Sequence, residues 1–141
     1  MPELSFDAET LGYIRIFEER TGAGVKDCFE SEGKLLFLVA PGEIPKAVGP
    51  AGAVIDRLKE LLKKEIQVIE YSDDAETLVR NIFYAFGATK VEIAPKGNGR
   101  HATVTVDPAW KAREIGKAGK NLKLARSVLM RHTDIHSVSV A

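Results

Sequence analysis

The apolar residues of the chain follow a helical spacing at two places and a strand spacing in stretches between them. Around Leu11 and around Leu78, apolar side chains recur three or four positions apart, which is typical of a helix with one buried face. In the second half, the runs around Val91 and Val104 alternate apolar and polar residues, as strands do. We predict the order helix, strand, strand, helix, helix, strand, and we predict it twice.

Glycine residues mark the ends of several predicted elements. Residues 21–24 and Gly87 are expected to end the first helix of each half, because glycine tolerates the left-handed C-terminal conformation. The Asn98-Gly99 step predicts a hairpin. The predicted strands cover residues 25–30, 34–40, 67–71, 89–95, 101–106 and 135–140, and the later helices cover about 43–48, 51–64, 109–115 and 119–132.

The first helix of each half is expected to begin at a capping residue. The spacing of Asp73 and Glu76 predicts a capping box in the second half. In the first half, Ser5 or Asp7 is expected to cap the helix without that full box.

An internal repeat explains why the same order of elements occurs twice. Residues 5–11 return as residues 72–78, with six of seven residues identical and an offset of 67. The same offset places Gly-Pro-Ala-Gly at 49–52 onto Gly-Lys-Ala-Gly at 116–119. Two copies of one structural unit, each of roughly 70 residues, are therefore expected.

Charge is distributed unevenly between the two copies. The chain is neutral as a whole, yet residues 1–72 carry 9 basic and 13 acidic residues, and residues 73–141 carry 11 and 7. The basic residues concentrate in 107–131, which is the electrostatic pattern of a protein with an anionic partner. The single cysteine, Cys28, excludes an internal disulfide and favours a reducing, cytoplasmic location. No apolar run reaches the length of a membrane span.

The Gly-x-x-Gly turns suit a nucleic-acid backbone. Glycine has no Cβ, so phosphates can approach the main chain closely. The helix that follows offers unpaired N–H groups and the positive end of its dipole. In the second copy, Lys117 and Lys120 add positive charge at this point.

A Gly-x-x-Gly turn between two short helices, after a strand hairpin, resembles the KH domain in its type II arrangement. The resemblance implies an α+β fold of two tandem type II KH domains at residues 1–71 and 72–141, each a small mixed three-stranded sheet packed with helices. Tandem domains joined by little more than Ser72, with no further domain, resemble the short NusA-like factors of archaea. This implies a non-catalytic factor of transcription elongation or termination that binds nascent single-stranded RNA.

The resemblance also implies which residues bind RNA. In the second copy they are Lys111, Arg113, Ile115, Gly116, Lys117, Ala118, Gly119, Lys120, Leu122 and Lys123. Their first-copy counterparts are Val48, Gly49, Pro50, Ala51, Gly52 and Ile55. Because Pro50 supplies neither a main-chain donor nor a charge, the second copy is expected to carry the larger electrostatic share.

Other functions remain open as alternatives. The acidic first half also fits a ribosome-bound or polymerase-bound protein adaptor, so RNA polymerase is a second expected partner of what is expected to be a monomer. No nucleophile–base motif or paired carboxylates indicate an enzyme, and no cofactor is expected. His132, Asp134 and His136 are interpreted as surface residues, since a metal site usually shows a fuller ligand set.

Overall fold

The chain divides into two compact units, with the boundary between Ser72 and Asp73. The computed structural model describes residues 7–84, 87–109 and 120–141.

The first unit contains one three-stranded sheet and three α-helices in the described residues. Its elements are α1 (Ala8–Thr21), β1 (Val25–Ser31), β2 (Lys34–Val39), α2 (Ile44–Val48), a 3-10 turn (Pro50–Gly52), α3 (Ala53–Leu62) and β3 (Glu65–Glu70). The central strand β2 pairs antiparallel with β1 and parallel with β3. The element order is the one that the apolar pattern predicts for this half.

The second unit repeats this sheet with different element lengths. Its described elements are α4 (Ala75–Ile82), β4 (Ala88–Lys96), β5 (Gly99–Val106), α5 (Lys120–His132) and β6 (Ile135–Val140). Strand β5 is central, antiparallel to β4 and parallel to β6. Helix α4 has 8 residues against 14 in α1, while β4 and β5 have 9 and 8 residues against 7 and 6 in β1 and β2. The second hairpin is therefore longer than the first.

The cores form between each sheet and its helices. In the first unit, the ring of Phe17 on α1 stacks on the ring of Phe37 on β2, with centroids 4.0 Å apart. Ala47 and Leu58 close this cluster from α2 and α3. In the second unit, the fully buried face of α5 consists of Leu124, Ala125, Val128 and Leu129. Burying a leucine-sized side chain contributes about 1.5–3 kcal/mol, so these faces hold the helices on their sheets.

Several local predictions are corrected by the structure. Asp74, and not Asp73, caps α4, because its carboxylate accepts hydrogen bonds from the backbone N–H and the hydroxyl of Thr77. Helix α4 ends at Ile82, before Gly87. Lys96 pairs with Gly99 across the hairpin, so Gly97 and Asn98 are its two corner residues instead of the predicted Asn-Gly pair. Gly97 takes a φ of 61°, which suits the first corner position.

Helix α1 begins and ends as predicted. The Asp7 side chain accepts a hydrogen bond from the Thr10 N–H at 2.8 Å, which makes it the N-cap. Gly22 ends the helix in the left-handed conformation, and its N–H donates to Glu18. The remaining predicted boundaries lie within two residues of those observed in the described strands and helices. Residues 110–115 of one predicted helix lie outside the described residues.

The cap carboxylates predict a dependence of stability on pH. Hydrogen bonds from the backbone and side chain of Thr10 lower the pKa of Asp7 below its ordinary 3.8, and bonds from the side chain and backbone of Thr77 lower the pKa of Asp74 in the same way. The two carboxylates have lower pKa values in the folded protein than in the unfolded chain. Their stabilising effect is therefore complete at a pH above the unfolded-state pKa and is lost as the pH falls through the folded-state pKa.

The double variant Asp7→Asn, Asp74→Asn tests this dependence, since asparagine caps a helix about as well as aspartate but does not titrate. Its free energy of unfolding, measured by urea titration with circular dichroism, should fall less steeply below about pH 4 than that of the wild type. Parallel pH curves for the two proteins would contradict the assignment of these caps.

The first Gly-x-x-Gly turn predicts a second stability effect. Gly49 has φ 75° and ψ 174°, a combination open almost only to glycine, and a Cβ there would lie 2.9 Å from the Val54 Cβ and 3.0 Å from its backbone nitrogen. Gly52 has φ 77° and ψ 12°, and a Cβ there would make only ordinary van der Waals contacts.

Gly49→Ala should therefore reduce the free energy of unfolding by about 2–3 kcal/mol, and Gly52→Ala by about 1 kcal/mol. Urea unfolding of both variants measures the difference. Equal losses would show that the Gly49 backbone relaxes and that its contact with Val54 is unimportant.

Candidate nucleic-acid interface

The turn of the first unit uses most of its own hydrogen-bond donors internally. The Gly49 N–H donates to the Pro45 carbonyl at 2.9 Å, and the Gly52 N–H donates to the Gly49 carbonyl at 3.2 Å. The Ala53 N–H donates to Pro50, which itself has no N–H. A phosphate at this turn would find few main-chain donors beyond those at the start of α3.

An acidic side chain lies at the start of α3. The Asp56 carboxylate lies 3.8 Å from the position that a Cβ would take at Gly52. Asp56 is exposed and belongs to the first turn of the helix, where a carboxylate interacts favourably with the helix dipole. It would repel a second anion at that place. Of the predicted residues here, Pro50 and Ala51 are exposed, and Val48 and Ile55 are half-buried, with Ile55 packed against the core.

The second turn falls outside the described residues. The predicted RNA-binding residues Lys111, Arg113, Ile115, Gly116, Lys117, Ala118 and Gly119 belong to this segment. Helix α5 starts at Lys120, whose side chain is also not described. Leu122 and Lys123 are described, the first half-buried and the second exposed.

A groove runs between α5 and β6 in the second unit. It has a volume of about 320 Å³, and it brings together the two described predicted residues with side chains that were not predicted as sites. Its lining consists of Lys96, Leu122, Lys123, Arg126, His136, Ser137 and Val138. Within the part of the chain that the structure describes, Lys96, Lys123 and Arg126 are in no ion pair, so the groove is cationic.

The tip of the second hairpin forms one end of this groove. The His136 ring nitrogen Nε2 lies 2.7 Å from the Lys96 carbonyl oxygen. The Arg100 guanidinium pairs with Asp134 at 2.5 Å, and the Arg100 N–H donates to the Asp134 carbonyl. These bonds hold the tip against the start of β6 and place Lys96 in the groove.

Helix α5 is also tied to β6 by a polar contact. The Nε of Arg126 donates to the His136 carbonyl oxygen at 2.9 Å. Because β6 is an edge strand, that carbonyl has no strand partner on its outer side. The contact fixes the width of the groove at the position where Lys96 and His136 meet.

The repeat reveals a reversal of charge beside the two turns. With the offset of 67, Lys123 corresponds to Asp56, and Arg126 corresponds to Lys59. Both Lys123 and Asp56 lie in the first turn of the helix that follows the glycine turn. The second unit therefore presents a cation where the first presents an anion.

Sequence reasoning did not assign Arg126 to the site and interpreted His136 as a surface histidine. Lys96 was not among the predicted site residues either. The signal that would have found all three is the length of the second hairpin, because the extended tip reaches β6. The sequence pattern predicts β4 and β5 with ends that fall one or two residues short, so it does not show how far the hairpin extends.

The other candidate chemistries of the chain have ordinary structural partners. Asp134 pairs with Arg100, and His136 contacts the Lys96 carbonyl. Among the described residues, no group of three or more His, Cys, Asp or Glu side chains is arranged to hold a metal ion. Cys28 is buried on β1.

Comparison with known proteins places this geometry in a family. Residues 75–141 match the model of the NusA-like second KH domain. A probable transcription termination protein NusA from Thermoplasma acidophilum is 36% identical over 99% of this chain and 97% of its own length. The chain belongs to the archaeal NusA-like family. The predicted resemblance to this family is thereby confirmed.

A further relative and a solved structure match the chain over almost its whole length. A protein of the same description from Methanocaldococcus jannaschii is 29% identical over 99% of this chain and 76% of its own length. The crystal structure of APE1850 is 34% identical, with a TM-score of 0.81 over 96% of this chain and all of that one. The helices of the NusA-like chain that the structure describes are too short or too polar to cross a bilayer.

Proposed function

We propose that this NusA-like chain is a transcription termination factor that binds single-stranded RNA through two type II KH domains. The element order of the first unit and the mixed pairing of both sheets support the type II arrangement. The KH match over residues 75–141 supports RNA binding by the second unit, since KH domains clamp single strands at their glycine turns. The names of the relatives support a role in termination.

The cationic groove between α5 and β6 is the observation that carries the proposal. It begins beside Leu122, three residues after the second glycine turn, and continues to the hairpin tip at Lys96. Cations on α5 and at the hairpin tip suit a phosphate backbone, whereas half-buried Leu122 and Val138 offer apolar contact to bases. A single strand that enters at the turn would pass Lys123 before it reaches Lys96.

The first unit is proposed to contribute less affinity. In its turn, Gly49 and Gly52 donate their N–H groups within the protein, Pro50 has no N–H, and Asp56 lies beside Gly52. Close approach of an RNA backbone remains sterically open there, because Pro50 and Ala51 are exposed. This unit would lengthen the stretch of RNA that the protein contacts but add little to the affinity.

Lys123→Gln tests the groove. If Lys123 neutralises one phosphate, its loss should reduce the slope of log affinity against log salt concentration by about 0.7 and weaken RNA binding at low salt. The measurement is fluorescence anisotropy with labelled single-stranded RNA.

Lys90→Gln provides the matched control for this test. Lys90 is an exposed lysine on β4, the opposite edge strand of the same sheet, and it pairs with Glu92 at 2.6 Å. Its removal changes the net charge equally but should leave the salt slope unchanged. The same slope change in both variants would mean that only net charge matters, which contradicts a specific groove.

The difference between the two turns is testable by placing acids in each. The double variant Lys117→Asp, Ala118→Asp should abolish most of the RNA affinity, because carboxylates would then face phosphates. The double variant Pro50→Asp, Ala51→Asp should cost clearly less in the same titration. A larger loss from the first turn would reverse the proposed roles of the two units.

A second candidate function, contact with RNA polymerase, is favoured by a groove in the first unit. This groove, of about 660 Å³, lies between the end of α1 and α3. Its lining contains apolar Val54, Leu58 and Leu61. Two arginines, Arg20 and Arg57, outnumber the one acidic residue of the lining, Glu60. Within the described residues neither arginine is in an ion pair, so the groove fits an acidic, amphipathic protein segment.

Leu61→Asp tests this contact in the full-length chain. Leu61 and Leu11 are both 52% exposed, so Leu11→Asp on α1 is a matched control. Capture of RNA polymerase by the tagged chain after nuclease treatment should fall several-fold for Leu61→Asp and stay unchanged for Leu11→Asp. If capture is lost on nuclease treatment, or if both variants capture the polymerase equally, the adaptor function is contradicted.

A further inference from the structure

The ring of His136 is held in one orientation at the hairpin end of the groove. Its Nε2 lies 2.7 Å from the Lys96 carbonyl oxygen. A Cβ on Gly99 would lie 2.5 Å from the ring carbon Cδ2, so the ring occupies space that only glycine leaves open. The Arg126 Nε donates to the backbone carbonyl oxygen of His136. Hydrogen bonding and close packing together fix this side chain.

The contact with Lys96 decides where the ring carries its protons. A carbonyl oxygen only accepts hydrogen bonds, so Nε2 must be the donor, in the neutral ring and in the protonated ring alike. Any further proton must therefore bind at Nδ1. Among the described residues, His136 Nδ1 has no hydrogen-bond partner, so protonation there breaks no contact of the fold.

Most of the charges around His136 are positive. Lys96 faces it from the hairpin tip, and Lys123 and Arg126 line the same groove from α5. The nearby carboxylate of Asp134 is already paired with Arg100. A phosphate in the groove would reverse this balance, because an opposite charge favours the protonated imidazole.

We propose that His136 is a phosphate-binding residue of the groove and that it binds RNA in its protonated form. Nδ1 takes one proton from solvent and donates it in a hydrogen bond to a phosphate oxygen, while Nε2 remains bonded to Lys96. No bond is made or broken apart from this proton uptake. The inference rests on the proposed RNA-binding function and adds a specific residue and a specific protonation state to it.

His101 differs from His136 in the hydrogen bonds of its ring. Its Nδ1 lies 2.6 Å from the Ser137 hydroxyl, and its Nε2 lies 2.9 Å from the Ser139 hydroxyl. Both ring nitrogens of His101 are thus engaged within the sheet, whereas His136 keeps Nδ1 for a ligand. Histidine is the side chain whose charge ordinarily changes between about pH 5 and 8, so a pH series tests the proposed role of His136.

The test is the affinity of the full-length chain for a labelled oligouridylate, measured by anisotropy from about pH 5.5 to about pH 8 at constant salt. Uracil does not titrate in this range, so the protein causes any change. The wild type should bind more tightly as the pH falls, by up to about tenfold per pH unit for one linked proton. Calorimetry in buffers of different ionisation enthalpy should show proton uptake on binding.

Two variants make the result specific to His136. His136→Gln keeps an N–H donor for the Lys96 carbonyl but cannot be protonated, so its affinity should be flat over the same pH range. Lys123→Gln should bind more weakly at every pH and keep the slope of the wild type. Equal pH slopes in the wild type and His136→Gln, with RNA still bound, would overturn the role of His136 and leave the RNA-binding function intact. No binding of RNA by the wild type at any pH would overturn both.

Discussion

The packing of α5 on the sheet of the second unit is the interaction on which the candidate interface depends. Leu124, Ala125, Val128 and Leu129 are fully buried, and they orient the helix so that Lys123 and Arg126 stay exposed. The helix period therefore couples core packing to the charge of the groove, because the residues between the buried positions must face outward. The hydrogen bond from Arg126 to the His136 carbonyl then joins the exposed face to the edge strand.

The two units have similar sheets and helices but differ in surface charge. Each has a helix packed on a mixed three-stranded sheet, in which the last strand runs parallel to the central one. At corresponding positions, Asp56 and Lys123 give the starts of α3 and α5 opposite charge. A substitution of this kind leaves the core unchanged, since both side chains are exposed. It changes which unit attracts an anion, and it does so without a change of fold.

Much of the fold could be predicted from the sequence because local chemistry determines it. The order of elements and the choice of Ser5 or Asp7 as the first cap follow from patterns within a few residues of each other, and the repeat is visible directly in the sequence. The choice of Asp74 over Asp73 could not be predicted so easily, since either carboxylate can cap, and the choice depends on where the chain enters α4. The hairpin corner moved to Gly97-Asn98 because strand register, which is not local, determines which residues remain unpaired.

The candidate site could be predicted only in part. Leu122 and Lys123 follow the glycine turn directly in sequence, so the motif indicates them. Lys96 and His136 are 40 residues apart and meet only because the extended hairpin reaches over β6. The room that Gly99 leaves for the His136 ring is likewise a property of the packed structure. Contacts between distant residues require the strand register, which no motif records.

The most direct test of the account is an anisotropy titration of the full-length chain with a randomised single-stranded RNA pool at several salt concentrations, beside a duplex RNA of equal length. Single strands should bind more tightly than duplex, and the logarithm of the affinity should fall linearly with the logarithm of salt concentration as phosphates are neutralised. Equal affinity for duplex and single strands, or no binding even at low salt, would contradict it.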